Sequence, residues 1–76
     1  MQPKIPASEV YTIGGAIRWY RTFRGMTQAD LSYDSDVSQN VICRVENGSN
    51  ITLTSLWKLC RALHVSLADL ATLARV

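Results

Sequence analysis

The side chains best suited to recognising a ligand lie close together in the segment 38–47, Ser-Gln-Asn-Val-Ile-Cys-Arg-Val-Glu-Asn. On a helical projection, Ile42 and Val45 fall on one side with Ser38 beside them. The opposite side carries Gln39, Asn40, Cys43, Arg44 and Asn47. Amide and guanidinium groups can form paired hydrogen bonds with the edges of adenine and guanine in the DNA major groove. The segment therefore predicts a helix that reads DNA bases.

Start and stop signals around this segment predict a second helix just before it. Thr27 and Asp30 have the spacing of a capping box, in which each residue accepts a hydrogen bond from the backbone amide of the other. Ser38 can cap the next helix, and Gly48 can end that helix in the left-handed conformation. We interpret residues 27–47 as a helix-turn-helix, with Ser35, Asp36 and Val37 in the turn and 38–47 as the recognition helix.

The first predicted helix has two possible starting points, because Ser8 and Thr12 are both suitable N-caps. It ends at Arg24-Gly25. Gly14 and Gly15 weaken its first turn, although such small residues also permit close contact with another helix. The helix that follows, from Thr27 or Gln28 to about Asp34, should bury Ala29 and Leu31 or their close neighbours.

Two more helices are predicted beyond the glycine. Thr52 caps residues 53–63, whose apolar stripe consists of Leu53, Leu56, Cys60 and Leu63. A capping box at Ser66 and Asp69 begins the last helix, at residues 67–74. The chain shows no strand pattern and no repeat. The predicted fold is all-α, a compact bundle of five short helices around a central helix-turn-helix.

The length, composition and net charge of the chain limit the kinds of protein it can be. The chain has 76 residues, of which 47% are apolar, and a net charge of +2, which fits one small domain with its own core. We expect residues 1–7 to be a flexible arm and residues 8–76 to be the DNA-binding domain. Two cysteines are too few for a disulfide framework, and no apolar run could span a membrane or act as a signal core. These features predict a cytoplasmic protein with no membrane partner.

Catalysis and metal binding have little support in the sequence. The single histidine has no nucleophile at motif spacing, and no glycine-rich loop or pair of carboxylates suggests an active site. Cys60 and His64 are four residues apart, as metal ligands often are, but two ligands without others are weak evidence, and Cys60 belongs to the apolar stripe. We therefore expect no enzyme activity, no cofactor and no metal.

Several motifs, taken together with the spacing between them, resemble the sequence pattern of the Cro/lambda-repressor-like (Xre-type) helix-turn-helix family. They are Ile13-Gly14 with Ile17, Arg18 and Arg21, then Gly25-Met26-Thr27-Gln28 with Leu31, then Val37-Ser38 with Ile42 and Val45-Glu46-Asn47-Gly48, and a tail from Leu53 to Leu67. The single-domain controller proteins of restriction–modification systems are similar in size and in the opening of the second helix. Phage repressors and antitoxin-type autoregulators are also similar. The sequence departs from the family in having Asp36 where the turn usually has glycine and Ser32 where alanine is usual.

The resemblance implies roles for individual residues. Gln39, Asn40 and Arg44 would read bases. Cys43 is not part of the family pattern, but its place on the same helix surface predicts either a thiol packed against DNA or a redox-sensitive group. Arg21 and Glu46 would form a buried ion pair. Gln28 would bind a phosphate and brace a side chain of the recognition helix, and Asn47 and the backbone near Ser49 would meet phosphates. Apart from the resemblance, we expect Ser38 and Arg24 to contact phosphates or position the protein, because helix N-termini and arginines bind phosphate.

The expected function is sequence-specific regulation of transcription, with a homodimer bound to a near-palindromic DNA operator and controlling its own gene. RNA polymerase is a further candidate partner, and no small-molecule effector is expected. An antitoxin-like protein-interaction module with secondary DNA binding is the alternative. Apolar residues near the C-terminus either fill the core or form the dimer interface, to which we assign Trp57, Leu70, Leu73 and Val76.

Overall fold

A computed structural model describes residues 12–74, which form five α-helices and contain no strand. The helices are α1 (Ile13–Phe23), α2 (Gln28–Ser35), α3 (Gln39–Glu46), α4 (Leu53–Leu63) and α5 (Leu67–Ala74). The all-α prediction is confirmed, and the bounds predicted for the last two helices are those observed. The predictions for the arm at residues 1–7, for a helix start at Ser8 and for Val76 concern residues outside this range.

Side-chain caps explain where the helices begin. Thr12 begins α1, since its Oγ1 accepts a hydrogen bond from the Gly15 amide at 2.9 Å. The capping box of α2 is confirmed, with the Asp30 amide 3.0 Å from Thr27 Oγ1 and the Thr27 amide 2.9 Å from Asp30 Oδ2. The predicted box of α5 is formed in the same way by Ser66 and Asp69. Each cap satisfies amides that have no partner inside the helix.

Left-handed residues explain where the helices end. After α3, Gly48 has φ 101°, its amide donates to Val45 O at 3.0 Å, and the Ser49 amide donates to Arg44 O at 3.0 Å. This pair of bonds is the Schellman motif, which satisfies the last carbonyls of a helix. Gly25 after α1 and His64 after α4 also have positive φ, at 70° and 58°. His64 thus occupies a conformation that glycine usually adopts.

The turn between α2 and α3 is held by two serine hydroxyls. Asp36, which stands where the family usually has glycine, lies in the left-handed region at φ 60° and ψ 32°. This is a conformation that aspartate tolerates better than most residues. Ser32 Oγ donates to Val37 O at 2.7 Å, and the Val37 amide donates to Ser35 Oγ at 3.2 Å. These bonds tie α2 to Val37, the residue just before the N-cap of α3.

The core lies where α1 packs against α3 and α5, and α2 packs against α3 and α4. Its largest fully buried side chains are Ile17, Leu31, Ile42, Leu59, Leu63 and Leu70. Burial of these aliphatic groups is the main favourable contribution to folding. The fold thus buries one side of α3 and leaves the other side in solvent.

Four predictions about burial need correction. Leu70 is fully buried and Leu73 is 7% exposed, so both fill the core of the single chain and cannot be part of a dimer interface. Leu53 belongs to the apolar stripe predicted for α4 but is 70% exposed, because it lies in the first turn of α4 and projects away from the core. Ala29 is also exposed, although Leu31 is buried as predicted.

Candidate nucleic-acid interface

The inner side of α3 is fixed by apolar burial and by contact with α1. Ile42 is fully buried and Val45 is 2% exposed. Opposite them, Gly14 approaches the α3 backbone so closely that an added Cβ would lie 1.8 Å from Val45 O. Only glycine fits at this distance. The contact was not predicted as a pair, although the sequence did suggest that small residues in α1 serve a close helix approach.

A buried ion pair adds a second connection between α1 and α3. Arg21 Nε lies 2.7 Å from Glu46 Oε2, and Arg21 Nη2 lies 2.9 Å from Glu46 Oε1. Their side chains are 12% and 4% exposed. Arg21 Nη1 also donates to Met26 O at 2.8 Å. The structure brings together the two residues that the resemblance implied, in the bidentate geometry that carboxylate and guanidinium favour.

Gln28 completes this buried network, which joins three helices. Its Nε2 donates to Glu46 Oε1 at 3.1 Å, so the first residue of α2 braces the last residue of α3. Gln28 is only partly exposed. A buried carboxylate needs several donors to offset the loss of hydration, and Glu46 has them from Arg21 and Gln28. The network holds both helices of the motif to α1.

The outer side of α3 has the opposite character. Gln39, Asn40 and Arg44 are all exposed, and Cys43 is half-buried. The structure records no hydrogen bond from the side chains of Gln39, Asn40 or Arg44 to any other residue between 12 and 74. These side chains are therefore available to a ligand, in the arrangement that the sequence predicted. Their donors and acceptors match those needed to read purine edges in a major groove.

Some residues expected to contact phosphate are already used within the chain. Ser38 Oγ accepts the Val41 amide at 3.2 Å as the N-cap of α3. Asn47 Nδ2 donates to Cys43 O at 2.8 Å, so its side chain folds back on the last turn of α3. The Ser49 amide is occupied by Arg44 O, which leaves the Ser49 hydroxyl for an outside partner.

Arg24, predicted to contact phosphate or to position the protein on DNA, also has a partner within the chain. Its Nε donates to Leu63 O at the end of α4, where a cation complements the negative end of the helix dipole. Arg24, the C-cap of α1, therefore links the end of α1 to the end of α4. This long-range contact left no signal in the sequence, because the partner is a backbone carbonyl 39 residues away.

The family comparison agrees with this geometry. A helix-turn-helix family model, of the Cro/C1 type, matches residues 17–70, which is well over half of the chain. The chain belongs to the Cro/C1-type helix-turn-helix family. No match was found among curated proteins or among solved structures. The matched range of this helix-turn-helix protein contains the buried network and the whole outer side of α3. Its family is one of DNA-binding regulators, and that general role is the one the match supports.

The described part of this helix-turn-helix protein contains neither a cluster of metal ligands nor a membrane-spanning helix. Within residues 12–74, no three His, Cys, Asp or Glu side chains come together as metal ligands would. None of the five helices is long and apolar enough to cross a membrane.

Proposed function

We propose that this protein is a sequence-specific transcriptional regulator that binds a near-palindromic DNA operator as a homodimer. The observation that carries the proposal is the contrast within α3, whose inner side is held by Glu46 and Val45 while Gln39, Asn40 and Arg44 stay exposed. Reading a base requires a side chain placed accurately against its edge, and a rigidly held helix provides that accuracy.

Each exposed side chain of α3 would contact a different group on the DNA. Arg44 would form a paired hydrogen bond with guanine O6 and N7, and Gln39 or Asn40 would pair with adenine N6 and N7. Cys43, half-buried between them, would pack against a thymine methyl or a sugar. Backbone amides at the start of α2 and α3, with the Gln28 side chain, would contact phosphates and set the register.

Two copies of α3 would enter successive major grooves about 34 Å apart on one side of the duplex. The two-fold symmetry of the protein would then match inverted half-sites in the operator. Regulation would depend on dimer concentration and on competition or contact with RNA polymerase at the protein's own promoter. A DNA partner implies that the protein acts in the cytoplasm, where two free thiols such as Cys43 and Cys60 stay reduced.

A DNA titration tests the proposal. Purified protein is titrated, at fixed salt, into a labelled duplex taken from the region upstream of its own gene and into a shuffled duplex of the same composition. We expect the upstream duplex to bind at least 100-fold more tightly. The variant Asn40→Ala should lose most of this preference and keep its weak binding to the shuffled duplex. Equal affinity for both duplexes would contradict the proposal.

A further inference from the structure

The side chain of Asn47, the C-cap of α3, turns back along the helix and bonds to Cys43. Its Nδ2 donates to Cys43 O at 2.8 Å and to Cys43 Sγ at 3.6 Å. A side-chain amide has two N–H donors, so these two contacts leave only Oδ1, which is an acceptor. Phosphate oxygens are acceptors as well. Held in this way, the Asn47 side chain offers a phosphate no donor, unlike the role that the family resemblance implied.

The Cys43 thiol forms a small apolar spot on the outer side of α3. Cys43 is half-buried, and its spacing places it in one row with Asn40 and Asn47 along the helix. Sulfur is a weak acceptor and the thiol a weak donor, and the Asn47 amide already occupies the sulfur. A cysteine in this state behaves as a small hydrophobic group. Its neighbours on the outer side, Asn40 and Arg44, are polar and exposed.

The major groove offers one apolar group that suits such a spot. Donors and acceptors distinguish most base edges there, and thymine adds its C5 methyl group. We infer that Asn47 is a positioning residue that holds the Cys43 thiol against the methyl group of one thymine in each half-site. The inference rests on the DNA binding of the proposed function, and it gives Asn47 a part in base preference without a contact to DNA.

Contact with a methyl group requires a fixed sulfur position. A cysteine side chain has three staggered positions about χ1, and dispersion contacts weaken markedly when a gap of 0.5–1 Å opens between two atoms. The bond from Asn47 Nδ2 selects one of these positions. Without it, the sulfur turns among several positions and the methyl contact is lost on average. The preference for thymine therefore depends on Asn47 as much as on Cys43.

Replacing thymine with deoxyuridine tests the contact, because deoxyuridine lacks only the C5 methyl group. Each thymine of the upstream operator is replaced in turn, at the same position of both half-sites, and the dissociation constant is measured with the thiols reduced. We call the ratio of the deoxyuridine and thymine dissociation constants the thymine preference. In wild type, one position should show a preference of about fourfold for each half-site, as expected for burial of one methyl group.

Variants of the two residues show whether Asn47 acts through Cys43. Asn47→Ala and Cys43→Ala should each bring the thymine preference at that position close to one, and combining them should change it no further. The ratio compares two duplexes with the same protein sample, so a smaller folded fraction does not alter it. Asn50→Ala is the matched control, since Asn50 is exposed and lies beyond α3, and it should keep the wild-type preference. Asn47→Ser, which lacks the amide, decides if Asn47→Ala does not fold by circular dichroism.

The outcomes separate this inference from the proposed function. If Asn47→Ala weakens binding to the thymine and deoxyuridine operators equally, Asn47 is a phosphate contact and the inference is wrong. The inference is also wrong if wild type prefers the operator to the shuffled duplex but shows no thymine preference at any position. In both cases the proposed function stands. If wild type does not prefer the operator at all, the proposed function fails and the inference fails with it.

Discussion

The two sides of α3 differ in almost every physical respect, although they belong to a helix of eight residues. The inner side is apolar or fully paired, with Val45 against Gly14 and Glu46 bound by Arg21 and Gln28. The outer side consists of exposed amide and guanidinium groups, among them Asn40 and Arg44. The inner residues determine where α3 lies, and in the proposed function the outer residues determine what it binds. Substitutions on the two sides should therefore change different measurements.

Breaking the buried ion pair should have the largest effect. Arg21→Met leaves the Glu46 carboxylate buried with Gln28 as its remaining donor, which should lower the free energy of unfolding by about 3–5 kcal/mol. Urea denaturation followed by circular dichroism measures the change. Arg18→Met, at an exposed position one turn earlier in α1, is the control and should change stability by less than about 0.5 kcal/mol. Similar losses in both variants would show that the pair does not hold α3.

A methyl group at Gly14 should have the next largest effect. Gly14→Ala forces α1 away from Val45 O and should cost about 1–3 kcal/mol of stability. Because α3 must shift as well, the remaining folded protein should also bind the operator more weakly. Gly25→Ala strains a residue at φ 70° but meets no atom within 4 Å, so it should reduce stability and leave DNA affinity unchanged. Unchanged affinity in Gly14→Ala would contradict the positioning role of this contact.

Substitution of Arg44 should change binding and not folding. Arg44→Ala should weaken operator binding by about 1–3 kcal/mol and relax the preference at one position of each half-site. Its unfolding free energy should stay within about 0.5 kcal/mol of wild type, because the side chain is exposed. Arg44→Lys keeps the charge and removes the planar fork, so it should lose base preference and retain non-specific affinity. Equal losses on operator and shuffled duplexes would make Arg44 a phosphate contact instead.

The smallest expected effect is a pH dependence from the capping box of α2. The Thr27 backbone amide, and less strongly its hydroxyl, lower the pKa of Asp30. The ionised carboxylate therefore stabilises the fold at neutral pH, and this contribution disappears as pH falls through the lowered pKa. Asp30→Asn should reduce the loss of thermal stability between pH 5 and about pH 2.5. An acid-induced loss as steep as in wild type would contradict the assignment to Asp30.

Local signals in the sequence predicted the helices well. A cap such as Thr52 or Ser66 interacts with amides two or three residues away, so its effect is complete within the segment that contains it. The same holds for the glycine after α3 and for the capping box at Thr27. The polar side of the recognition helix was likewise visible, because it depends on the helical period alone.

Contacts between distant segments were harder to predict. An apolar residue such as Leu53 or Leu73 fits the helical period in either environment, and the packing of neighbouring helices decides which one is buried. The bond from Arg24 to Leu63 O involves a backbone atom that exists at every position, so the sequence cannot indicate it. Arg21 and Glu46 were paired only because the family pattern implied it. Their charges alone could not have selected one partner among several.

The most direct test of the account is selection of preferred sequences from a library of random duplexes. Wild type, Asn40→Ala and Arg44→Ala would be compared at one salt concentration. We predict that wild type enriches two inverted half-sites, and that each variant changes the preference at separate positions within them. If no sequence is enriched, or if all three proteins enrich the same sequence equally, the outer side of α3 does not read DNA.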